Sequence, residues 1–263
     1  MERAQTIAGT NVHVVGEGPP VVLIHGSGPG VTAWANWRLT MPALVERGYR
    51  VIAPDMLGFG YTERTGTYSK ETWLAQLDRL FDASKLEQVD LVGNSFGGAI
   101  ALAYAITRPR RVKSMVLMGA VGTRFPITAG LDAVWGYEPS IAAMKKLLDV
   151  FAYDRSIVTD ELAELRYRAS IEPGFQEAFA AMFPAPRQRW VDALASDDEQ
   201  IRKVSHRALV VHGRDDQVIP LAASQRLAEL LPNAELHVFN KCGHWTQIEH
   251  AARFTALVAE FFR

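Results

Sequence analysis

A serine inside a G-x-S-x-G pentapeptide is the side chain of this sequence best placed for covalent chemistry. The pentapeptide spans Gly93 to Gly97, and Ser95 is its serine. An apolar run at 89–92 precedes it, and small residues compatible with a helix follow at 98–103. A strand that turns sharply into a helix here would expose the serine hydroxyl, so Ser95 is a candidate nucleophile. The motif alone also suits a tight turn without catalysis.

A serine hydroxyl is a poor nucleophile at neutral pH, so Ser95 needs a base, and the base needs an acid that fixes its tautomer. Asp215 and Asp216 follow a β-rich run, and either could be the acid, although the register G-x-x-D-x-V-I-P favours Asp216. His244 follows a later run of the same kind and is the candidate general base. The order serine, aspartate, histidine, with each residue past a strand end, indicates a hydrolytic triad.

Hydrolysis also requires backbone donors for the negative oxygen of the transition state. One donor would be the N–H of Phe96, which follows the nucleophile at the start of the expected helix. The second would come from the glycine-rich loop at 25–30, through the N–H of Ser27 or Gly28. This loop matches neither G-x-x-x-x-G-K-S/T nor G-x-G-x-x-G, so a phosphate-binding role is disfavoured.

Short β-rich runs alternate with helical segments along most of the chain. Several runs are apolar without alternation, which is typical of parallel strands buried on both faces. The pattern predicts an α/β fold with a mostly parallel central sheet flanked by helices. The predicted strands are 12–15, 21–25, 50–53, 89–92, 115–118, 208–212 and 236–239, and predicted helices of the core include 72–84, 221–231 and 249–262.

The alternation stops between about 119 and 207, where the sequence offers helix-like pieces and five prolines but no comparable β run. We interpret residues 120–206 as a helical lid, inserted into an α/β core made of residues 1–119 and 207–263. Open α/β sheets bind ligands at the carboxyl ends of their strands. A lid that leaves the sheet from that edge would cover the site and exclude water.

Composition excludes several other classes of function. The 263 residues carry a formal net charge of -1, so no overall field would attract nucleic acid or an acidic membrane. The sequence shows no secretory leader and no apolar stretch of about 18 residues, and we therefore expect a soluble cytoplasmic protein. Cys242 is the only cysteine, and no histidine pair has metal-ligand spacing, so neither a metal nor another cofactor is expected.

Six motifs together carry a resemblance to a known family: 25–30 (HGSGPG), 34–36 (WAN), 54–60 (PDMLGFG), 93–98 (GNSFGG), 213–216 (GRDD) and 242–245 (CGHW). Over nearly its whole length the chain resembles the α/β-hydrolases. More narrowly, it resembles the meta-cleavage product hydrolases, which hydrolyse carbon–carbon bonds in bacterial degradation of aromatic rings.

The resemblance implies a set of residues that bind the carboxylate and enol end of a substrate. These are Asn36, Asn94, Trp245 and an arginine of the lid. The arginine corresponds to Arg166, with Arg168 as the alternative two residues later. Ser156 is a further candidate, and it could equally be a helix-capping serine before the segment that begins near Val158.

The resemblance also implies the reaction. A 2-hydroxy-6-oxo-2,4-dienoate is first ketonised by a proton placed on C5, and the dioxo form then cleaves with the leaving carbon held as a dienolate. His244 would move the proton, and a lid guanidinium would bind the carboxylate. Whether Ser95 forms an acyl-enzyme or assists water towards a gem-diol is left open by the sequence.

The C6 substituent defines the subclass. The segments 125–127, 131–136 and 183–190 are most similar to enzymes of the phenol, toluene and alkylbenzene routes, which accept hydrogen or a small alkyl group at C6. We therefore expect a hydrolase of 2-hydroxymuconate 6-semialdehyde and 2-hydroxy-6-oxohepta-2,4-dienoate. A generic carboxylesterase and a ligand receptor without catalysis are the alternatives. The family commonly forms dimers or larger assemblies, so a homo-oligomer is expected.

Overall fold

All seven predicted strands lie in one eight-stranded sheet. The computed structural model describes residues 4–64 and 66–263. The strands are β1 Gln5–Ile7, β2 Thr10–Val15, β3 Pro20–Ile24, β4 Arg50–Pro54, β5 Val89–Asn94, β6 Val112–Met118, β7 Arg207–Gly213 and β8 Ala234–Phe239. Their order across the sheet is β1-β2-β4-β3-β5-β6-β7-β8. The predicted α/β class is confirmed.

Strand direction decides where the candidate site residues meet. β2 runs antiparallel to β1 and β4, whereas the strands from β4 to β8 all pair in parallel. The carboxyl ends of β5, β7 and β8 therefore lie at one edge of the sheet. The chain places Ser95, Asp216 and His244 just beyond these three ends. β1 was not predicted from the sequence, because this strand is only three residues long and is largely exposed.

The central strands of the sheet are buried on both faces, as their apolar runs indicate. On β5, Leu91 packs into one hydrophobic cluster and Val92 into the other, since successive side chains of a strand point to opposite faces. Leu77 and Leu227 belong to the first cluster, and Phe254 to the second. Helices therefore cover both faces of the sheet.

The helices of the core are α1 Ala33–Trp37, α2 Thr40–Val45, α3 Lys70–Ala83 and α4 Phe96–Thr107 before the insertion, and α11 Leu221–Leu230, α12 Thr246–Glu249 and α13 Ala251–Phe261 after it. A short 3-10 helix spans Pro109–Arg111. α3 begins two residues before the predicted start, at a capping box in which Ser69 and Thr72 each bond the backbone of the other.

The segment between β6 and β7, all of it described, contains six α-helices and no strand. It is the segment that the sequence analysis interprets as a lid. Its helices are α5 Ala129–Trp135, α6 Ile141–Phe151, α7 Asp160–Ser170, α8 Phe175–Met182, α9 Gln188–Leu194 and α10 Asp198–Arg202, with a 3-10 helix at Arg155–Ile157. The segment leaves from the carboxyl end of β6, beside the ends of β5 and β7.

Within residues 4–64 and 66–263, every helix is too short or too polar to span a membrane. The same residues contain no group of three or more histidine, cysteine, aspartate or glutamate side chains with a geometry for metal binding.

Candidate active site

The serine of the pentapeptide lies at a strained turn between β5 and α4. Ser95 has φ 54° and ψ -115°, a conformation that costs free energy in a residue with a side chain. A Cβ atom on Gly97 would lie 2.2 Å from the carbonyl oxygen of Ile24, and one on Gly93 would lie 2.3 Å from the carbonyl oxygen of Gly97. The two glycines are therefore needed for the chain to turn this tightly, which is the geometry of a nucleophile elbow.

The predicted acid and base are in direct contact. His244 Nδ1 lies 2.7 Å from Asp216 Oδ2, and the side chain of Asp216 is only 1% exposed. The other oxygen of Asp216 accepts hydrogen bonds from the backbone N–H of Val218 at 2.7 Å and of Ile219 at 3.0 Å. Burial alone would raise the pKa of Asp216, but the neighbouring His244 and these hydrogen bonds hold it below its usual value.

The ionised aspartate fixes the tautomer of the histidine. Because Asp216 accepts, His244 carries a proton on Nδ1 and leaves Nε2 as the basic nitrogen. In the described part of the chain Nε2 makes no hydrogen bond, so it is available to take a proton. Catalytic hydrogen bonds of free enzymes commonly tighten only when the substrate binds.

Asp215, the alternative acid, points elsewhere. Its carboxylate accepts a 3.4 Å hydrogen bond from the backbone N–H of Cys242, and its own N–H donates to the carbonyl of that residue. His212 is fully buried between Ser224 Oγ at 2.7 Å and the carbonyl of Ile219 at 3.1 Å. Burial lowers the pKa of His212, which keeps this imidazole neutral beside Asp216.

The glycine-rich loop passes directly beside the nucleophile. A Cβ atom on Gly26 would come within 3.3 Å of Ser95 Cβ. The hydroxyl of Ser27 accepts a 2.9 Å hydrogen bond from the indole of Trp135 in α5, which ties this loop to the lid segment. Phe96 is the first residue of α4, so its N–H has no partner within the helix. The N–H groups of Phe96 and of Ser27 or Gly28 remain the candidate oxyanion donors.

Two buried amides offer unused hydrogen-bond donors beside the triad. Asn36 Oδ1 accepts from the N–H of Gly26 at 3.0 Å, but its Nδ2 has no partner among the described residues. Asn94 Nδ2 is likewise buried without a partner in that part of the chain. An unsatisfied buried donor costs about 1–3 kcal/mol. Both amides would recover this cost by donating to an oxygen of a bound ligand.

These side chains line one small cavity, which we call the reaction cavity. Its volume is about 50 Å³, and the predicted residues on its wall are Ser27, Gly28, Asn36, Asn94, Arg166, His244 and Trp245. Trp245 stacks on Phe151 of α6 with 4.9 Å between the ring centroids. The lid segment and the core therefore both contribute to the cavity.

The structure distinguishes the two candidate arginines. Arg166 on α7 reaches the reaction cavity, and its Nη2 donates to the carbonyl of Gly30 at 2.9 Å. Arg168 is exposed and pairs with Glu164 one turn earlier. Residues two apart on a helix lie on nearly opposite faces, so only one of the two could face the site.

Ser156 does not reach the cavity. It is exposed in the 3-10 helix at Arg155–Ile157, and its hydroxyl donates to Asp154 Oδ1 at 2.6 Å. It does not cap the next helix either, because Thr159 accepts the capping hydrogen bond from the N–H of Leu162. Both hypotheses for Ser156 are therefore corrected: it is a surface residue held by its neighbour.

Several residues at the site were not predicted from the sequence. Met144, Leu148 and Phe151 line the reaction cavity from α6, and their helical spacing was the available signal. Glu249 had no signal in the sequence. One of its carboxylate oxygens accepts from the N–H of Gly243 at 2.8 Å, and the other accepts from the N–H groups of Tyr153 and Asp154 at 2.8 and 2.9 Å. Glu249 thus connects the histidine loop with the end of α6.

Comparisons with known proteins agree with this geometry. The model of a protein family described as "alpha/beta hydrolase fold" matches residues 19–251 of this chain. A 2-hydroxymuconate semialdehyde hydrolase of Pseudomonas sp. strain CF600 is 63% identical over 254 residues, which cover 96% of this chain and 89% of the relative. A 2-hydroxy-6-oxo-2,4-heptadienoate hydrolase of Pseudomonas putida strain F1 is 64% identical over 96% of this chain and 92% of the relative.

A solved structure is similar over almost the whole chain. It is a meta-cleavage product hydrolase (CumD) from Pseudomonas fluorescens IP01, a serine-to-alanine variant complexed with acetates. Its sequence is 60% identical, the match covers 99% of this chain and 98% of that one, and the TM-score is 0.98.

Proposed function

The chain belongs to the α/β-hydrolase fold family and, within it, to the meta-cleavage product hydrolases, and from this premise we propose that it hydrolyses a carbon–carbon bond of a small 2-hydroxy-6-oxo-2,4-dienoate. The substrates are 2-hydroxymuconate 6-semialdehyde and 2-hydroxy-6-oxohepta-2,4-dienoate. The products are 2-hydroxypenta-2,4-dienoate and formate or acetate. The relatives named after these two substrates, 63% and 64% identical, support the assignment.

One observation in the site carries the proposal. Two unpaired amide donors, Asn36 Nδ2 and Asn94 Nδ2, and the guanidinium of Arg166 surround the cavity beside the triad. Hydrolysis of a simple ester would give these groups no role. A dienoate offers a carboxylate for the guanidinium and a 2-oxygen for the amides, and both groups become better acceptors as electrons move onto the dienolate.

The positions of the oxygen atoms along the carbon chain of this substrate explain how its C5–C6 bond can be hydrolysed. A proton placed on C5 converts the enol into the 2,6-dioxo form, in which the C5–C6 bond can break with its electron pair delocalised onto the 2-oxygen. The proton on C5 replaces the one lost from the 2-hydroxyl group, the hydroxyl of water ends on C6, and the remaining proton of water restores the 2-hydroxyl group of the product, so hydrolysis is balanced. His244 Nε2 is the proton carrier, and the N–H groups of Phe96 and of Ser27 or Gly28 stabilise the oxyanion at C6. These steps need neither a metal nor another cofactor.

Comparison of kcat/KM for dienoates with a formyl, methyl or phenyl group at C6 tests the proposal. We expect the formyl and methyl substrates to be preferred, because the two relatives that are 63% and 64% identical to this chain are named after substrates of this size. Each methylene changes discrimination by only about 1–3 kcal/mol, so both small substrates should be used. A strong preference for phenyl would overturn the subclass.

Turnover itself distinguishes the two alternative functions. Fast hydrolysis of p-nitrophenyl esters without dienoate turnover would indicate an esterase, and dienoate binding without turnover would indicate a receptor.

The two lid arginines provide a matched test of the carboxylate site. Arg166→Ala should lower kcat/KM for the dienoates about 10- to 100-fold, since it removes a hydrogen-bonded charge from the substrate carboxylate. Arg168→Ala should change kcat/KM less than about twofold, because an exposed ion pair contributes little. Hydrolysis of p-nitrophenyl acetate, which has no carboxylate, should be unchanged in both variants. Equal losses for both substrates in Arg166→Ala would instead indicate displacement of the 25–30 loop.

The proposal extends to the state of the protein in the cell. We propose that it is a cytoplasmic homo-oligomer, a dimer or larger. Support comes from the edge strand β8, on which Leu236 and Val238 are each 37% exposed and which has no strand on its outer side within the described chain. Light scattering should give a multiple of the 29.1 kDa chain mass, and a monomer at working concentration would contradict the proposal.

A further inference from the structure

A second and larger cavity adjoins the reaction cavity. It has a volume of about 370 Å³ and lies between α1, α7 and α12. We call it the outer cavity. Asn36, Arg166 and Trp245 line both cavities, so these side chains form the wall between them.

The two cavities differ in volume, and this difference indicates that only one of them can hold a complete substrate in this conformation. Binding pockets for small molecules are commonly about 300–1,000 Å³. The reaction cavity, at about 50 Å³, is too small to hold a complete dienoate without movement of the lid segment. The outer cavity, at about 370 Å³, can hold one in the conformation observed.

The lining of the outer cavity is mostly apolar, and it includes two polar side chains, Arg38 and Gln247, that do not line the reaction cavity. Trp34, Leu162 and Ile248 provide apolar surface. The Arg38 guanidinium donates to the carbonyl of Ala35 at 2.8 Å, and no carboxylate of the described residues forms an ion pair with it. Gln247 is 1% exposed, and its Oε1 has no hydrogen-bond partner in that part of the chain. A cation and a buried amide beside this apolar surface suit a small organic anion with a hydroxyl group.

We propose that the outer cavity is a separate binding site for a 2-hydroxy-2,4-dienoate monoanion, with Arg38 as its cation. Substrate occupies this site before it enters the reaction cavity, and the dienoate product occupies it on leaving. Arg166 borders both cavities, so a carboxylate that moves between them stays close to a guanidinium. The identity of the ligand rests on the proposed function, whereas the affinity of the site for a monocarboxylate does not.

Binding of hexa-2,4-dienoate, a stable monocarboxylate that cannot be hydrolysed, tests the site without turnover. Titration should be followed by tryptophan fluorescence, since Trp34 and Trp245 line the cavity. Arg38→Ala should raise the Kd about 3- to 10-fold, and Arg38→Lys should recover most of the affinity. Affinity in the wild-type protein should fall as ionic strength rises, and this dependence should weaken in Arg38→Ala.

Kinetics should separate the outer cavity from the reaction cavity. Arg38→Ala should lower kcat/KM for the dienoates at low ionic strength by a similar 3- to 10-fold. The single-turnover rate constant at saturating substrate should stay unchanged, because Arg38 does not line the reaction cavity. Unchanged hexa-2,4-dienoate affinity in Arg38→Ala, or a single-turnover rate that falls as far as kcat/KM, would overturn the proposal. Absence of dienoate turnover in the wild-type protein would instead refute the proposed function.

Arg38→Ala could disturb the short helix α1, which ends next to Arg38. A substitution on α7 therefore provides an independent test of the site. Leu165 lines the outer cavity and is 61% exposed, so its replacement should not disturb the core. Leu165→Glu should bind hexa-2,4-dienoate more weakly than Leu165→Gln, because the two side chains have nearly the same size and only glutamate repels the carboxylate. Equal affinity of the two variants would contradict an anion site.

Discussion

Ser95→Ala should lower kcat for the dienoates by about 10³- to 10⁶-fold and leave their binding within a few fold of the wild-type value. The variant removes the hydroxyl at the strained turn, but the amides and Arg166, which we propose to bind the other end of the substrate, remain in place. Loss of the yellow dienolate absorbance measures turnover, and titration of the variant measures binding.

Ser156→Ala is the matched control for Ser95→Ala. Ser156 is exposed, and its hydroxyl bonds only its neighbour Asp154, so kcat and KM should change less than about twofold. Turnover that survives in Ser95→Ala, or a comparable loss in Ser156→Ala, would contradict the assignment of the nucleophile. Rapid-quench trapping on the wild-type protein then separates the two routes, because a labelled acyl-serine forms only if Ser95 attacks C6.

The strands, and the positions of the candidate triad residues just beyond their ends, could be predicted because each leaves a local signal. A strand buried on both faces has an apolar run in its sequence, as β5 and β7 do, and the more exposed β8 still contains the β-rich run 236–239. The triad residues follow these strands, and parallel strands end at one edge of a sheet. β1 had no such signal, because this strand is only three residues long and is mostly exposed.

The rest of the site depends on how the lid segment packs, which no local pattern encodes. The sequence places Arg166 and Arg168 on one helix but does not say which face of that helix meets the core. Ser156 carried the right residue type for a cap, yet Thr159 caps α7. Glu249 reaches two chain segments nearly a hundred positions apart, through bonds to Tyr153 and Gly243. Such contacts exist only after the fold has formed.

Asp216→Asn should lower kcat about 10⁴-fold while the fold is retained. Asp215→Asn is its matched control, one residue away, and should change kcat less than about twofold, since Asp215 is turned towards Cys242 rather than His244. Thermal unfolding of both variants should be compared with the wild-type protein, so that a loss of structure is not mistaken for a loss of catalysis. A larger effect of Asp215→Asn would reverse the assignment of the acid.

The large effect of Asp216→Asn follows from the hydrogen bonds around the carboxylate. The N–H groups of Val218 and Ile219 require an acceptor, so they would hold the asparagine oxygen, and the amide nitrogen would face His244. His244 would then accept on Nδ1 and carry its proton on Nε2, where it could not take a proton from Ser95 or water. The pKa of Asp216 lies below its usual value, so the carboxylate is ionised at neutral pH, and its contribution is lost only as the pH falls through that lowered pKa. Titration of Asp216 itself should therefore add no pH dependence to the activity of the wild-type protein between about pH 6 and 8.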